Sequence, residues 1–200
     1  ILYYKYMDVS CDNPRKENRD KLVLSKGHAG PALYSVLANK GFFPEEWLHT
    51  LNVGGTRLPS HCDMNRTPGI DMTTGSLGQG ISTAIGLAFA NRLNKIDNKV
   101  YLIIGDGESN EGQIWEGAMA ASHYKLNNLI AFTDNNRMQI DGYVSDVMDI
   151  EDIGAKWNAF GWFVQRVNGH DFEDMAMAID RAKKETIRPS TVSYTHLRAH

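Results

Sequence analysis

Two short apolar runs, Val100 to Ile104 and Leu129 to Phe132, constrain this chain more than any other feature. Each ends in residues that turn a backbone, Gly105-Asp106-Gly107 after the first and Asp134-Asn135-Asn136 after the second. Uninterrupted apolar runs of this length suit strands covered on both faces. The stretches between and around them carry apolar residues at helical spacing. Leu33, Val36 and Leu37 follow Pro31, while Ile81, Ile85, Ala88 and Phe89 share a face of the stretch from Leu77 to Lys95. The spacing predicts further helices over Pro44 to Leu51, Glu111 to Lys125 and Ile150 to Phe160, with Phe172, Met175, Ala176 and Ile179 on one face of a last one. Leu22 to Leu24 and Trp162 to Val167 supply further strands. Strands alternating with helices predict an α/β fold, a parallel sheet with helices on both faces, whose ligands sit at the carboxyl ends of the strands.

The chain has 200 residues, and one domain over 1–191 is expected. Its net charge of −3 leaves no footprint for nucleic acid or an anionic membrane. No apolar run approaches the roughly 20 residues that span a bilayer. Two cysteines, Cys11 and Cys62, make no disulfide framework, so a reducing, cytoplasmic setting is expected. Both ends read as cut. The terminal string VSYTHLRAH, residues 192–200, reads as one frame of a transposase adaptor used in sequencing libraries. It is expected to lie outside the fold, and its removal to leave stability unchanged.

The turn Gly105-Asp106-Gly107-Glu108 has its own chemistry. Glycines at a strand end leave N–H groups approachable, and the helix start beyond favours an anion such as phosphate. Asp106 would repel that anion unless a cation lay between them, and magnesium takes oxygen ligands from one or two protein groups plus phosphate. Asn136, at the end of the next strand, is a second oxygen donor on the same edge. The same residues also suit a plain strand-to-helix turn, with Asp106 capping the helix and Asn136 shaping a loop. His49, His123 and His170 read as ordinary histidines. Cys62, beside His61 and Asp63, lacks the ligand spacing of a zinc site.

Gly105-Asp106-Gly107 followed at this distance by Asn135-Asn136 resembles the thiamine diphosphate motif, and its surroundings resemble transketolase. Leu24-Ser25-Lys26-Gly27-His28, Leu58-Pro59-Ser60-His61, Thr73-Thr74-Gly75-Ser76-Leu77-Gly78-Gln79-Gly80, Gly107 to Gly112 and Ile140-Asp141-Gly142 occur in the family's order. The similarity covers roughly Lys21 to Lys184. It implies transfer of a two-carbon ketol unit between sugar phosphates, with thiamine diphosphate and Mg2+ as cofactors. The resemblance assigns Asp106, the Asn136 side chain and the Met138 carbonyl to magnesium, and the Gly107 amide to the diphosphate. It places His28 near the diphosphate and the reacting sugar, His61 facing the sugar, Gly75 and Leu77 beneath the cofactor rings, and Asp134 near the thiazolium. Glu111 and Glu116 match glutamates of a carboxylate network between the two cofactor sites of a dimer, although five helical positions set them about 140° apart.

In the family, the glutamate that activates the cofactor lies on another domain, which binds the pyrimidine ring. The resemblance therefore implies a partner, a C-terminal pyrimidine-binding subunit or domain, and a chain inactive without it. The compact loop Gly54-Gly55-Thr56-Arg57 resembles transketolases split into two chains, of which this is the N-terminal one. The rival readings are another thiamine diphosphate enzyme, such as a deoxyxylulose-phosphate synthase or a dehydrogenase component, and a non-catalytic cofactor-binding subunit. TTGSLGQG and LPSH speak against the first, and the intact metal and diphosphate set against the second.

Overall fold

The computed structural model describes residues 1–140 and 142–195; Asp141 of the Ile140-Asp141-Gly142 motif lies outside the described residues. Among the described residues, seven strands and six α-helices follow in chain order: β1 (Lys21–Leu24), α1 (Gly30–Asn39), α2 (Gln79–Leu93), β2 (Val100–Gly105), α3 (Gly112–His123), β3 (Leu129–Asp134), β4 (Met138–Gln139), β5 (Gly142–Tyr143), α4 (Val144–Val147), α5 (Ile153–Ala159), β6 (Phe163–Asn168), α6 (Phe172–Lys184) and β7 (Ser190–Thr195). Strands β1, β2, β3, β7 and β6 lie side by side in that order, all parallel. The α/β expectation of a parallel sheet with helices on both faces holds.

The side-chain period of two sorts the apolar runs between two cores. Val100, Leu102, Ile104, Leu129 and Ala131 pack beneath α2, α3 and α5 with Trp157 and Trp162. Tyr101, Ile130, Phe132 and Val192 face the other way, toward α1, α6, Tyr3 and Tyr6. Strand order explains this division. The steps from β1 through β2 and β3 to β6 run in one direction, whereas β6 to β7 steps back. A right-handed crossover puts the returning helix on the opposite face, and α6 lies there. Its ends follow from local chemistry as well. The Asp171 carboxylate accepts from the Glu173 and Asp174 N–H groups at 2.9 and 3.1 Å. Arg181, Lys183 and Lys184 sit in its last turn, against the negative end of the dipole.

Four expectations change. Pro44 to Leu51 forms 3-10 turns over Glu45–Thr50, too short for a helical core face. The small hairpin β4–β5 carries no strand signal in sequence, since each strand has two residues. Phe172 is 76% exposed, because it begins α6 and points off the face that Ala176 and Ile179 bury. The fourth concerns the tail. Residues 190–195 form β7 between β3 and β6, with Val192 fully buried, so the fold includes residues expected to lie outside it. Once the sheet leaves a slot with free N–H and C=O groups on both sides, the backbone bonds of a six-residue segment fill it, and Val192 supplies the apolar contact. The expectation of a packing-neutral tail is corrected for 192–195; residues 196–200 lie outside the described residues.

Deleting residues 190–200 is therefore expected to remove the cooperative thermal transition followed by circular dichroism. Val192→Ala should cost about 2 kcal/mol, read by denaturant titration. Unchanged stability after the deletion would restore the packing-neutral reading.

Candidate functional site

The sheet ladder runs past the strand ends and fixes the backbone of the edge. Ser25 N–H donates to the Ile103 carbonyl at 2.8 Å and Asp106 N–H to the Asp134 carbonyl at 3.0 Å. Asp106 is buried, and its carboxylate accepts from the Gly107 N–H at 2.8 Å and from the Arg137 N–H. Burial raises its pKa above the ordinary carboxylate value. The Gly107 and Arg137 amides oppose that rise, as does Lys26, while Asp134 adds to it. Asn136 Oδ1 accepts from the Met138 N–H at 2.9 Å, closing a turn that brings 136–139 back over the strand end. The approach is close: a Cβ on Gly107 would lie 2.6 Å from the Gln139 Cβ. The Gln139 Nε2 is buried with no hydrogen-bond partner among the described residues.

The structure thus brings Asp106, Gly107, Asn136 and Met138 together at one turn. The Gly107 N–H donates to the Asp106 carboxylate at 2.8 Å, so the amide assigned to the diphosphate and the carboxylate assigned to magnesium are neighbours. The donor set fits magnesium, since carboxylate, amide oxygen and main-chain carbonyl are all oxygens. Charge points the same way. Asp106, Glu108 and Asp134 are buried close to one another with Lys26 as the buried cation beside them, so an added phosphate anion would need further positive charge, which a divalent ion supplies. The buried donor of Gln139 beside the turn suits an oxygen-rich ligand.

A second wall holds the other expected residues. His28 is exposed on a 3-10 turn, Gly27–Ala29, after β1. A Cβ on Gly27 would lie 2.9 Å from Gly75 Cα, and one on Gly75 3.0 Å from the His61 ring. His28, Gly75 and His61 therefore lie on segments in contact. The long loop before α2 is pinned rather than free: Thr74 N–H donates to the Cys62 carbonyl at 3.0 Å and its hydroxyl to the Leu24 carbonyl at 2.7 Å. Leu77 is exposed just before α2. Glu111, at the N-cap of α3, packs against the same turn: a Cβ on Gly78 would lie 2.8 Å from the Glu111 Cβ. Glu116 is exposed further along α3, so the two glutamates are not side by side.

Two residues without an assigned role emerge here. The Lys26 Nζ lies 2.6 Å from Asp134 Oδ2, both side chains about nine-tenths buried. The pair borders a cavity of about 520 Å³ walled by Leu24, Leu33, Phe132 and Tyr194, with His170 at its rim. Glu108 is buried among backbone donors. Lys26 and Glu108 stand inside the motifs read from sequence, and their burial, which residue type alone opposes, is what the sequence could not signal. On the other side of the strand ends, a cleft of about 800 Å³ is lined by Asp106, Asn135 and Arg137.

Residues 1–197 match the family described as the transketolase thiamine diphosphate binding domain. The chain is 56% identical over 191 residues to the 6-deoxy-6-sulfo-D-fructose transketolase subunit SqwG of Clostridium sp. (strain MSTE9), covering 96% of this chain and 70% of that one. It is 45% identical over 174 residues to an apulose-4-phosphate transketolase subunit from Phocaeicola vulgatus, covering 87% of this chain and 62% of that one. The solved transketolase from Campylobacter jejuni superposes with a TM-score of 0.91 at 33% identity, over 97% of this chain and 32% of that one. The chain thus spans about two thirds of these subunits and about a third of the solved enzyme.

The Lys26–Asp134 pair makes one prediction. Lys26→Met takes the cation from a buried carboxylate and should destabilise the fold by about 3–5 kcal/mol in denaturant titration. A loss below about 1 kcal/mol would show that Asp134 does not depend on it.

Proposed function

This chain belongs to the transketolase family through its thiamine diphosphate binding domain, and from that premise we propose that it is the diphosphate-binding subunit of a two-chain transketolase, which transfers a two-carbon ketol unit with Mg2+ as the second cofactor. The observation that carries the reading is the turn at Asn136–Met138, closed onto the Asp106 carboxylate through the Arg137 amide. Thiamine diphosphate, when bound, supplies the nucleophile and the electron sink for breaking a carbon–carbon bond beside a carbonyl. Asp106, Asn136 and the Met138 carbonyl would hold the magnesium. His28 and His61, exposed on touching segments, are the groups proposed to exchange protons with the sugar. Asp134, with Lys26 beside it, is proposed to face the positive ring of the cofactor, while Gly75 and Leu77 support its rings. Glu111 and Glu116 are proposed to meet a second protomer. Both cysteines are free, which suits a cytoplasmic compartment.

The proposed partner is a chain carrying the pyrimidine-binding domain. Support comes from the relatives, which are named as subunits of transketolases. The substrates are proposed to be phosphorylated sugars. The 56% identity to a 6-deoxy-6-sulfo-D-fructose transketolase subunit favours a second reading, in which the donor ketose carries a sulfonate in place of the phosphate. Assaying fructose 6-phosphate against the sulfonated ketose in the assembled enzyme separates them.

Calorimetric titration with thiamine diphosphate is expected to show binding only with Mg2+ present. Asp106→Ala should abolish it and Asp106→Asn retain it weakly, since asparagine keeps an oxygen but not the charge. Undiminished affinity in a folded Asp106→Ala chain would remove Asp106 from the metal. The chain alone should show no ketol transfer and should gain it on addition of the pyrimidine-binding subunit. Full turnover by the chain alone would place the activating carboxylate among these 200 residues.

A further inference from the structure

We propose that Glu108 is a positioning residue, a carboxylate clamp that sets the spacing of the three segments facing the cofactor; the proposal rests on the thiamine diphosphate reading above. Glu108 is 3% exposed. Its Oε1 accepts from the Gly78 N–H at 2.9 Å and from the Ser25 hydroxyl, and its Oε2 accepts from the Gly105 N–H at 3.1 Å. Each donor belongs to a different segment. Ser25 follows β1 and leads into the His28 turn, Gly78 closes the Gly75–Leu77 segment, and Gly105 stands beside Asp106.

A buried carboxylate is tolerated only when donors surround it. Here two donors lie 30 and 83 residues away in sequence, and the third sits three residues before the carboxylate itself. One charge is therefore satisfied only when all three segments are in place. The surroundings are built for that approach. A Cβ on Gly80 would lie 2.3 Å from the Ser25 Oγ, and Gly78 has φ +82°, the left-handed backbone that glycine adopts without strain.

Glutamine separates a positioning role from a charge effect. It keeps the shape of Glu108 but replaces one acceptor by an NH2 group, setting donor against donor at Gly78 or Gly105. Loss of a negative charge near a diphosphate should by itself tighten the binding of that anion. Misplaced segments should loosen it. The two effects have opposite sign.

The experiment is calorimetric titration of the chain assembled with the pyrimidine-binding subunit, using thiamine diphosphate plus Mg2+ and separately inorganic diphosphate plus Mg2+, for the parent, Glu108→Gln, Ser25→Ala and the double variant. Affinity for thiamine diphosphate is expected to fall about 10- to 100-fold in Glu108→Gln and about 3- to 10-fold in Ser25→Ala. The double variant should lose less than the product of the two, because both act on one hydrogen bond. Amide hydrogen exchange without cofactor reads the clamp directly, and Gly78 and Gly105 should exchange faster in Glu108→Gln. A folded Glu108→Gln chain that binds thiamine diphosphate as tightly as the parent, or more tightly, overturns the proposal. Should that variant not fold, Ser25→Ala decides: parental affinity with unchanged exchange at Gly78 overturns it. A parent that does not bind thiamine diphosphate overturns the cofactor reading and the positioning role with it. A parent that binds beside an indifferent Glu108→Gln overturns the positioning role alone.

Discussion

The parallel ladder joining β1, β2, β3 and β7 is the constraint on which the site depends. Its hydrogen bonds do not stop where the strands do: Ser25, Asp106 and Asn135 each donate a backbone N–H to a neighbouring strand's last residues, at 2.8, 3.0 and 2.9 Å. Registers are fixed by burial on both faces, since a slip of one residue would send Val100, Leu102 and Ile104 to the wrong core. The same packing that orders the sheet therefore sets where each polar residue emerges. Asp106 sits beside Asp134 because Gly105 pairs with Asp134 across the ladder.

That placement concentrates charge in a region from which water is largely excluded. Asp106, Glu108 and Asp134 are buried within a few residues of the strand ends, and each is stabilised differently. Asp134 has the Lys26 ammonium. Glu108 has backbone and hydroxyl donors drawn from three segments. Asp106 has two amides, yet burial still holds its pKa up. Asp106, whose pKa burial holds up, is thus also the carboxylate nearest the Asn136 and Met138 oxygens. A divalent cation placed there would relieve the burial of Asp106 and attract phosphate in one step.

Much of this was legible in the sequence, for identifiable reasons. Strand runs buried on both faces are apolar throughout, and α2 and α6 carry a helical period, so the α/β layers followed from pattern. The grouping of Asp106 with Asn136 followed from strand ends sharing one edge, and the order of motifs supplied the rest. What pattern could not supply was pairing between segments far apart in sequence. Nothing local marks Glu108 as buried, because its donors come from Ser25 and Gly78 as well as from Gly105. Lys26 is hidden in the same way by Asp134, 108 residues on. The tail misled for a related reason. Its two histidines and arginine, His196, Arg198 and His200, read as a poor strand, but β7 is built from Ser190–Thr195, where Thr191, Val192, Tyr194 and Thr195 favour a strand and the ladder on both sides holds it.

The exposed residues of the edge form a pattern of their own. His28, His61 and Leu77 lie toward the surface, while the groups beneath them, Ser25, Lys26, Glu108 and Asp134, are buried. Chemistry that breaks a carbon–carbon bond beside a carbonyl needs its proton-exchanging groups shielded, since water would quench the reactive carbon. The two histidines proposed to exchange protons thus stand exposed above a buried floor. Glu111 and Glu116, exposed on α3 and turned to different sides of it, meet no common partner among the described residues. Both observations have the same physical remedy, a second surface laid over this edge. It would bury the histidines and give each glutamate a separate partner, which is what the proposed assembly with a pyrimidine-binding subunit supplies.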